Sequence, residues 1–471
     1  MGDEDFKQVL YTINSRGERK WVYPQIIKGF YFHRRRIVAY ALILFYLCLP
    51  WIQINGKQAV HINIPERLFI IFGHTFWATD TIYLAIFFAF MGLCLFFFTS
   101  VFGRVWCGWA CPETVFLEFV FRPIEILIEG SPAQRLRLDQ APWTFSKIRK
   151  KFMKHFLCAA FAWIIGSTAL AYFIGRDPLL RMMQDWPWHN PGPFGLTMLA
   201  MGVMAFQFGW FREQFCTILC PYARFQSVLM DQHTVTVGYD VARGEPRGKK
   251  AKDGEKLGDC IDCGLCVRVC PTGIDIRNGN QLECISCTAC IDACDSIMEQ
   301  LGRAPGLIRY DSEAKLAKGE EVKGGAVRRT VYAVALGILV VAFLYQLMNR
   351  QTLDVTIIRG AYDKPYTYLP NGQISNHVSV RVTNKSSESH SVTISTEASN
   401  FELITPINPY KVPAGVKENI PLFIRFPFEV LENGKARLDV KVVDKRGEAH
   451  MIPFTVIGPD KKEQTNEASS K

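Results

Sequence analysis

Five apolar runs divide this chain: Ile37–Ile54, Ile82–Phe102, Phe156–Ile174, Phe194–Phe211 and Val331–Leu347. Each holds 17–21 residues, and a helix of about 20 residues crosses a hydrocarbon core of ~30 Å. Arg34, Arg35 and Arg36 lead into the first run, and Arg328 and Arg329 into the last. A buried core helix can be equally apolar, but five runs with basic flanks predict a multi-pass membrane protein in contact with lipid. Met1–Phe32 is polar, mixed in charge and without the apolar stretch of a signal peptide.

Loop charge predicts the orientation, because basic residues stay on the cytoplasmic side. The loop between the second and third runs carries Arg104, Arg122, Arg135, Arg137, Lys147, Arg149, Lys150, Lys151 and Lys154. The segment between the fourth and fifth carries Arg243, Arg247, Lys249, Lys250, Lys252 and Lys256. The remaining loops hold only Lys57 and Arg67, or Arg176 and Arg181. The expected order is a cytoplasmic segment 1–36, a four-helix membrane domain 37–241, a basic linker 242–257, a cytoplasmic domain 258–302, a linker 303–330, a fifth span 331–347, an outer domain 350–459 and a disordered tail 460–471. The formal charge of +10 is then topological, and nucleic acid is excluded as its cause. Ile64–Thr79, interrupted by Glu66, Arg67, Gly73 and His74, is expected at the outer interface rather than across the membrane.

Most of the 15 cysteines cluster. Cys260, Cys263, Cys266 and Cys270, followed by Pro271, form C-x2-C-x2-C-x3-C, and Cys284, Cys287, Cys290 and Cys294 repeat it. Three closely spaced thiolates wrap one face of an iron–sulfur cubane, and the fourth leaves toward the other cluster, as in bacterial ferredoxins. The reading is therefore two 4Fe–4S clusters, one on Cys260, Cys263, Cys266 and Cys294, the other on Cys284, Cys287, Cys290 and Cys270. Gly264, Gly273 and Gly279 suit the tight turns. Zinc is the rival, but its sites use paired C-x2-C knuckles. Asp295 stands where Pro271 stands in the first run. Its carboxylate would lower the potential of the cluster fed by Cys294, although a solvated surface Asp is the plainer reading.

A rarer pattern occurs twice. Cys107 and Cys111, and again Cys216 and Cys220, form C-x3-C-P at the cytoplasmic ends of the second and fourth runs. Amphipathic stretches, Glu113–Ile128 and Tyr222–Asp231, follow them. On a helix, cysteines at i and i+4 share one face. Two pairs meeting would supply four soft thiolates suited to Cu(I) or to a further cluster. A single pair would read as packing, and the repetition makes all four candidate metal or redox residues. Cys48, Cys94 and Cys158 stand alone and read as packing, as do Met198, Met201 and Met204.

Beyond Leu353 the pattern alternates: Asn376–Thr383, Ser391–Thr396, Phe401–Thr405, Asn419–Phe426, Lys435–Val443 and Met451–Ile457. Pro370-Asn371-Gly372, Pro413-Ala414-Gly415 and Asn433-Gly434 mark turns. About seven short strands predict an all-β immunoglobulin-like sandwich. It has no cysteine and no catalytic spacing, which points to docking.

Five spans, two C-x3-C-P motifs, a double-cluster insert and an outer Ig-like domain together resemble the CcoG/FixG/RdxA family of cytochrome oxidase accessory proteins. The motifs and the insert alone also resemble NapH-type membrane ferredoxins. The resemblance implies a multi-pass protein of the bacterial inner membrane that helps assemble cbb-type oxidases by reducing Cu(II) to Cu(I). Its implied partners are a cytoplasmic electron donor, copper ions or copper chaperones, and an oxidase subunit; a homodimer is among the expected assemblies. Cys107, Cys111, Cys216 and Cys220 are the catalytic candidates and the candidate copper ligands. Two other readings stay open: quinol-linked electron transfer without copper, and a non-catalytic assembly scaffold or redox sensor.

Overall fold

A computed structural model describes residues 19–77, 81–185, 188–189, 191–248, 257–318, 326–349, 352–359, 366–370, 372–386, 388–444, 447 and 449–459. Residues 249–256 of the basic linker and the tail 460–471 lie outside the described residues. The chain forms two compact units, one of 1–67 and 80–344 that holds most of the membrane helices and the cysteine runs, the other of 68–79 and 345–471 that holds the C-terminal β domain.

Among the described residues, four helices are long and apolar enough to cross a membrane: Ile82–Phe102, Phe145–Ile174, Pro191–Phe211 and Ala326–Met348. The first predicted run behaves differently. Its helix spans Phe30–Cys48, begins before the three arginines and ends ahead of a 3-10 turn at Leu49–Trp51. The apolar part is therefore shorter than expected, and Arg35 is buried at 3% exposure. Among its described residues, Ile64–Thr79 contains an antiparallel hairpin, Leu68–Ile71 with His74–Phe76, and no helix.

Within the first unit the helices Phe30–Cys48 and Phe145–Ile174 are tied at their C-terminal halves. Tyr46 Oη donates to the Ile165 carbonyl, and Tyr172 Oη to the Tyr46 carbonyl, both at 2.8 Å. Gly166 lets the helix Pro191–Phe206 come close: a Cβ there would stand 3.0 Å from the Ala200 carbonyl carbon. Phe116, Phe121, Cys158, Ala162, Ile165 and Phe208 form the core between these elements, with Met201 and Met204 packed against it.

The predicted linker 303–330 is partly structured. Ile308–Ser312 pairs antiparallel with Val235–Tyr239, and a helix covers Glu313–Lys318. The cause is apolar: Val237, Tyr239, Leu307 and Ile308 are buried in one core with Cys260, Cys266, Ile276 and Met298.

The second unit is a sandwich. One sheet runs Glu402–Ile404, Lys417–Pro427, Gln373–Asn384, Leu353–Arg359; the other runs Tyr410–Val412, His390–Thr396, Lys435–Asp444, Ala449–Ile457. Alternate residues face inward, as period two demands. Val378, Val380 and Val382 meet Leu422, Ile424, Leu438, Val440 and Val442 in one core.

Candidate redox site

The two cysteine runs fold as a repeat at the level of single dihedral angles. In the first loop Asp262 and Gly264, on either side of Cys263, take left-handed φ values of 51° and 62°. In the second, Ser286 and Thr288 flank Cys287 with 52° and 63°. This conformation curls each loop so that three cysteines face inward. Glycine does it without strain at 264, whereas Thr288 bears the cost of a β-branched side chain there. The third and fourth cysteines of the second run, Cys290 and Cys294, sit on the helix Ala289–Gln300.

These loops enclose two cavities. One is lined by Cys260, Cys263, Cys266 and Cys294 with Tyr239, Leu307 and Ile308. The other is lined by Cys270, Cys284, Cys287 and Cys290, with Cys266 at its edge and Ile274, Ile276 and Ile285 around it. Among the described residues no three His, Cys, Asp or Glu side chains converge as ligands of one ion. Cysteines spread around an apolar void fit a polynuclear cluster better than a single zinc ion, whose four sulfurs must all lie about 2.3 Å from one point. Burial raises these thiols: Cys284 and Cys266 to about 11, Cys294 to about 12, and Cys290 well above its usual value. The thiols are thus neutral until a metal displaces their protons, so loading releases acid.

The two C-x3-C-P motifs are not single helical turns. Cys107 lies in the short helix Val105–Trp109, and Cys111 is extended (ψ 126°) before the helix Pro112–Phe116. Cys216 lies in the π-helical turn Phe215–Leu219, and Cys220 is extended (ψ 111°) before Pro221–Leu229. The expected i, i+4 face is therefore broken, because a residue before proline is pushed out of the helical region. The four cysteines are nevertheless neighbours. Burial pushes Cys107 up to about 12, and the proximity of Cys111 and Cys220 adds to this. Cys216 is raised by burial first, then by Glu113, Cys111, Cys107 and Cys220. Cys107 Sγ donates to Gln226 Oε1 at 3.2 Å.

This layer is packed on the second cysteine loop. Cys107, Ile285 and Cys287 form one buried apolar cluster. A Cβ on Gly108 would stand 2.6 Å from the Ile285 carbonyl oxygen. Arg35 Nε donates to the Gly108 carbonyl at 2.9 Å, and its Nη2 pairs with Glu118 at 2.5 Å. Arg104 donates to the carbonyls of Leu282 and Ala223, joining the cluster loop to the second motif's helix. Its counterpart Arg212 instead pairs with Glu125. From the other side, Asp292 accepts from the backbone N–H of Tyr31 (3.1 Å) and Phe32 (2.7 Å), capping the helix Phe30–Cys48.

Sequence reasoning missed Arg35, Gln226, Glu113 and Thr288 in this region. Overlaying the two cysteine runs puts Thr288 opposite Gly264, a signal present in the chain. Arg35 gave none, since it reads as one of three topological arginines.

Comparisons with known proteins agree with this arrangement. A profile described as a 4Fe–4S dicluster domain matches residues 211–313, and one described as a 4Fe–4S binding domain matches 83–130. The Ig-like fold at the C-terminus of FixG matches 343–459. Protein RdxA of Cereibacter sphaeroides is 36% identical over 78% of this chain and 80% of its own length. Protein RdxB of the same organism is 34% identical over 82% of this chain and 83% of its own. The nitrogen fixation protein FixG of Rhizobium meliloti is 38% identical over 62% of this chain and 57% of its own. The chain belongs to the RdxA/FixG family and is a membrane-associated 4Fe–4S electron-transfer protein.

Proposed function

We propose that the protein is a cupric reductase of the inner membrane that supplies Cu(I) for assembly of a cbb-type oxidase. Cu(II) is the substrate. It gains one electron to become Cu(I), and a cytoplasmic one-electron donor loses one. Cys260, Cys263, Cys266 and Cys294 hold one 4Fe–4S cluster, and Cys270, Cys284, Cys287 and Cys290 the other; when bound, such clusters carry single electrons. Cys107, Cys111, Cys216 and Cys220 receive copper, and four soft thiolates favour Cu(I) over Cu(II). The observation that carries the reading is the packing of Cys107 against Cys287 and Ile285, which puts the thiol layer directly on a cluster loop. Excluding water there is the task of Ile285, Tyr222 and Ala289, all packed in the same place.

The same layer supports a topology. The start of Phe30–Cys48 adjoins the cysteine domain through Asp292, and the end of Ile82–Phe102 through Arg104, which donates to the Leu282 carbonyl. With Phe30–Cys48 counted as a span, the cysteine domain is cytoplasmic and the last span carries the Ig-like domain to the periplasm, where it docks an oxidase subunit.

The test uses anaerobically purified full-length protein, reduced and mixed with Cu(II), with Cu(I) read by a specific chelator. Cys107→Ser with Cys111→Ser, and Cys216→Ser with Cys220→Ser, are expected to keep their iron and lose Cu(I) formation at least tenfold. Wild-type rates in both double variants would remove these pairs from the reaction.

A further inference from the structure

The second cysteine loop is joined to the first C-x3-C-P motif by a phenol from a third segment. Trp109, the middle residue of Cys107-Gly108-Trp109-Ala110-Cys111, donates its indole Nε1–H to Tyr310 Oη at 3.1 Å. Tyr310 Oη donates in turn to the carbonyl of Ser286, one residue before Cys287, at 3.1 Å. Chemistry fixes both directions, since an indole N–H only donates and a carbonyl only accepts. Two dipoles therefore run head to tail from the thiol motif to the cysteine loop. Cys287, Arg35 and Cys284 all stand near the Tyr310 hydroxyl. Burial raises the phenol, so it keeps its proton and stays a donor.

The local backbone creates the need for this donor. Ser286 is buried and lines the cavity of Cys270, Cys284, Cys287 and Cys290. Its left-handed backbone (φ 52°) turns its carbonyl toward Gly108, where a Cβ would stand 2.8 Å from the oxygen. A buried carbonyl left without a donor is costly. Tyr310 reaches it because Ile308–Ser312 is paired with Val235–Tyr239, which sets Tyr310 opposite Val237. Tyr31 braces the pair edge-on, with its ring centroid 6.0 Å from that of Tyr310 and 6.4 Å from that of Trp109. In the first cysteine loop the counterpart of Ser286 is Asp262, which is exposed to water instead.

We propose that Tyr310 and Trp109 are positioning residues for electron transfer at the site of Cys270, Cys284, Cys287 and Cys290. Their hydrogen-bond chain fixes the loop carrying Cys287 against the thiol motif and raises the reduction potential of that site. A site that gains an electron becomes more negative, and the positive ends of the N–H and O–H dipoles aimed at its loop stabilise that form. Groups outside the ligand set orient the ligands in the same way. Trp109 acts through Tyr310, because its N–H polarises the hydroxyl and makes it a stronger donor. One electron arrives and one leaves, while Tyr310 exchanges no proton and forms no bond to a metal. The inference rests on the assignment of the eight cysteines as cluster ligands and is independent of copper.

The experiment is an EPR-monitored redox titration of anaerobically purified full-length protein, with iron counted in each sample. Tyr310→Phe removes one oxygen and keeps the ring. It is expected to lower one of two midpoint potentials and leave the other at its wild-type value. The reduced-to-oxidised ratio at a fixed potential should fall about threefold to tenfold, which is about 30–60 mV for one electron. Trp109→Phe should move the same signal downward by less, and should add nothing in the Tyr310→Phe background. Tyr31→Phe, which keeps the bracing ring, should leave both potentials unchanged. If Tyr310→Phe loses iron, Trp109→Phe decides, since it leaves the bond to Ser286 in place. An upward shift, unmoved potentials at full iron content, equal shifts of both signals or additive effects of the two substitutions would overturn the proposal. These shifts in a protein that forms no Cu(I) would sink the cupric reductase reading alone, and Cu(I) formation with unmoved potentials would sink this proposal alone.

Discussion

Gly108 lies so close to Cys287 that a Cβ at position 108 would stand 2.9 Å from the Cys287 Cα. Backbone is on the other side of that contact, so there is no flexible side chain to yield. The first C-x3-C-P motif and the second cysteine loop are therefore fitted at main-chain level. Gly108→Ala is expected to cost about 1–3 kcal/mol through overpacking. A thermal melt in detergent should show a lowered midpoint with loss of iron, while Gly202→Ala, with nothing within 4 Å of its Cβ, should change little.

Asp292 closes the start of the helix Phe30–Cys48 through two backbone N–H groups. Asp292→Ala leaves both donors without their acceptor, at a cost of about 1 kcal/mol. Hydrogen exchange should speed up at the Tyr31 and Phe32 amides. Asp292→Asn, which keeps one accepting oxygen in place of two, should restore protection at one of the two amides only.

Glu113 is buried between the motifs, with Gln207 Nε2 donating to one oxygen at 2.9 Å and no hydrogen-bond partner on the other. Burial raises its carboxyl from 4.5 to about 7. The folded protein keeps this proton over a range in which the unfolded chain has lost it. Stability from this group is therefore full below 4.5, declines as pH climbs toward about 7 and is flat above. The decline is on the order of 3 kcal/mol. Melting curves at about pH 5 and about pH 8 should converge in Glu113→Gln, once its slope is subtracted from wild type.

Glu125, at 1% exposure, is held by Arg212 and by Arg135 at 2.5 Å. Glu125→Ala takes the ion pair from buried Arg212 and leaves Arg135 with Glu129 at 3.5 Å, and removal of one partner from a buried pair costs about 3–5 kcal/mol. Yield and melting temperature should both drop more than for Glu397→Ala, whose ion pair with Lys441 is exposed.

The cysteine spacing and the alternation of Gln373–Asn384 or Lys435–Asp444 were legible because their cause is local. Pro112 and Pro221 carried the information that each C-x3-C motif breaks at its second cysteine, and the i, i+4 expectation overlooked it. The linker 303–330 read as irregular because a single five-residue strand, Ile308–Ser312, has no pattern until Val235–Tyr239 lies beside it. Arg35 was illegible in kind. Its contacts with Gly108 and Glu118 join segments 73 and 83 positions away, and nothing in a run of three arginines marks the middle one for burial.

The cap on the first helix has a consequence for biogenesis. Phe32 receives its acceptor from a residue 260 positions later in the chain. During synthesis the helix Phe30–Cys48 emerges with its leading turn unfinished, and the carboxylate that completes it exists only once the chain has been made as far as position 292, two residues before the last cysteine. The order of translation thus makes the N-terminal end of the protein one of the last places to mature.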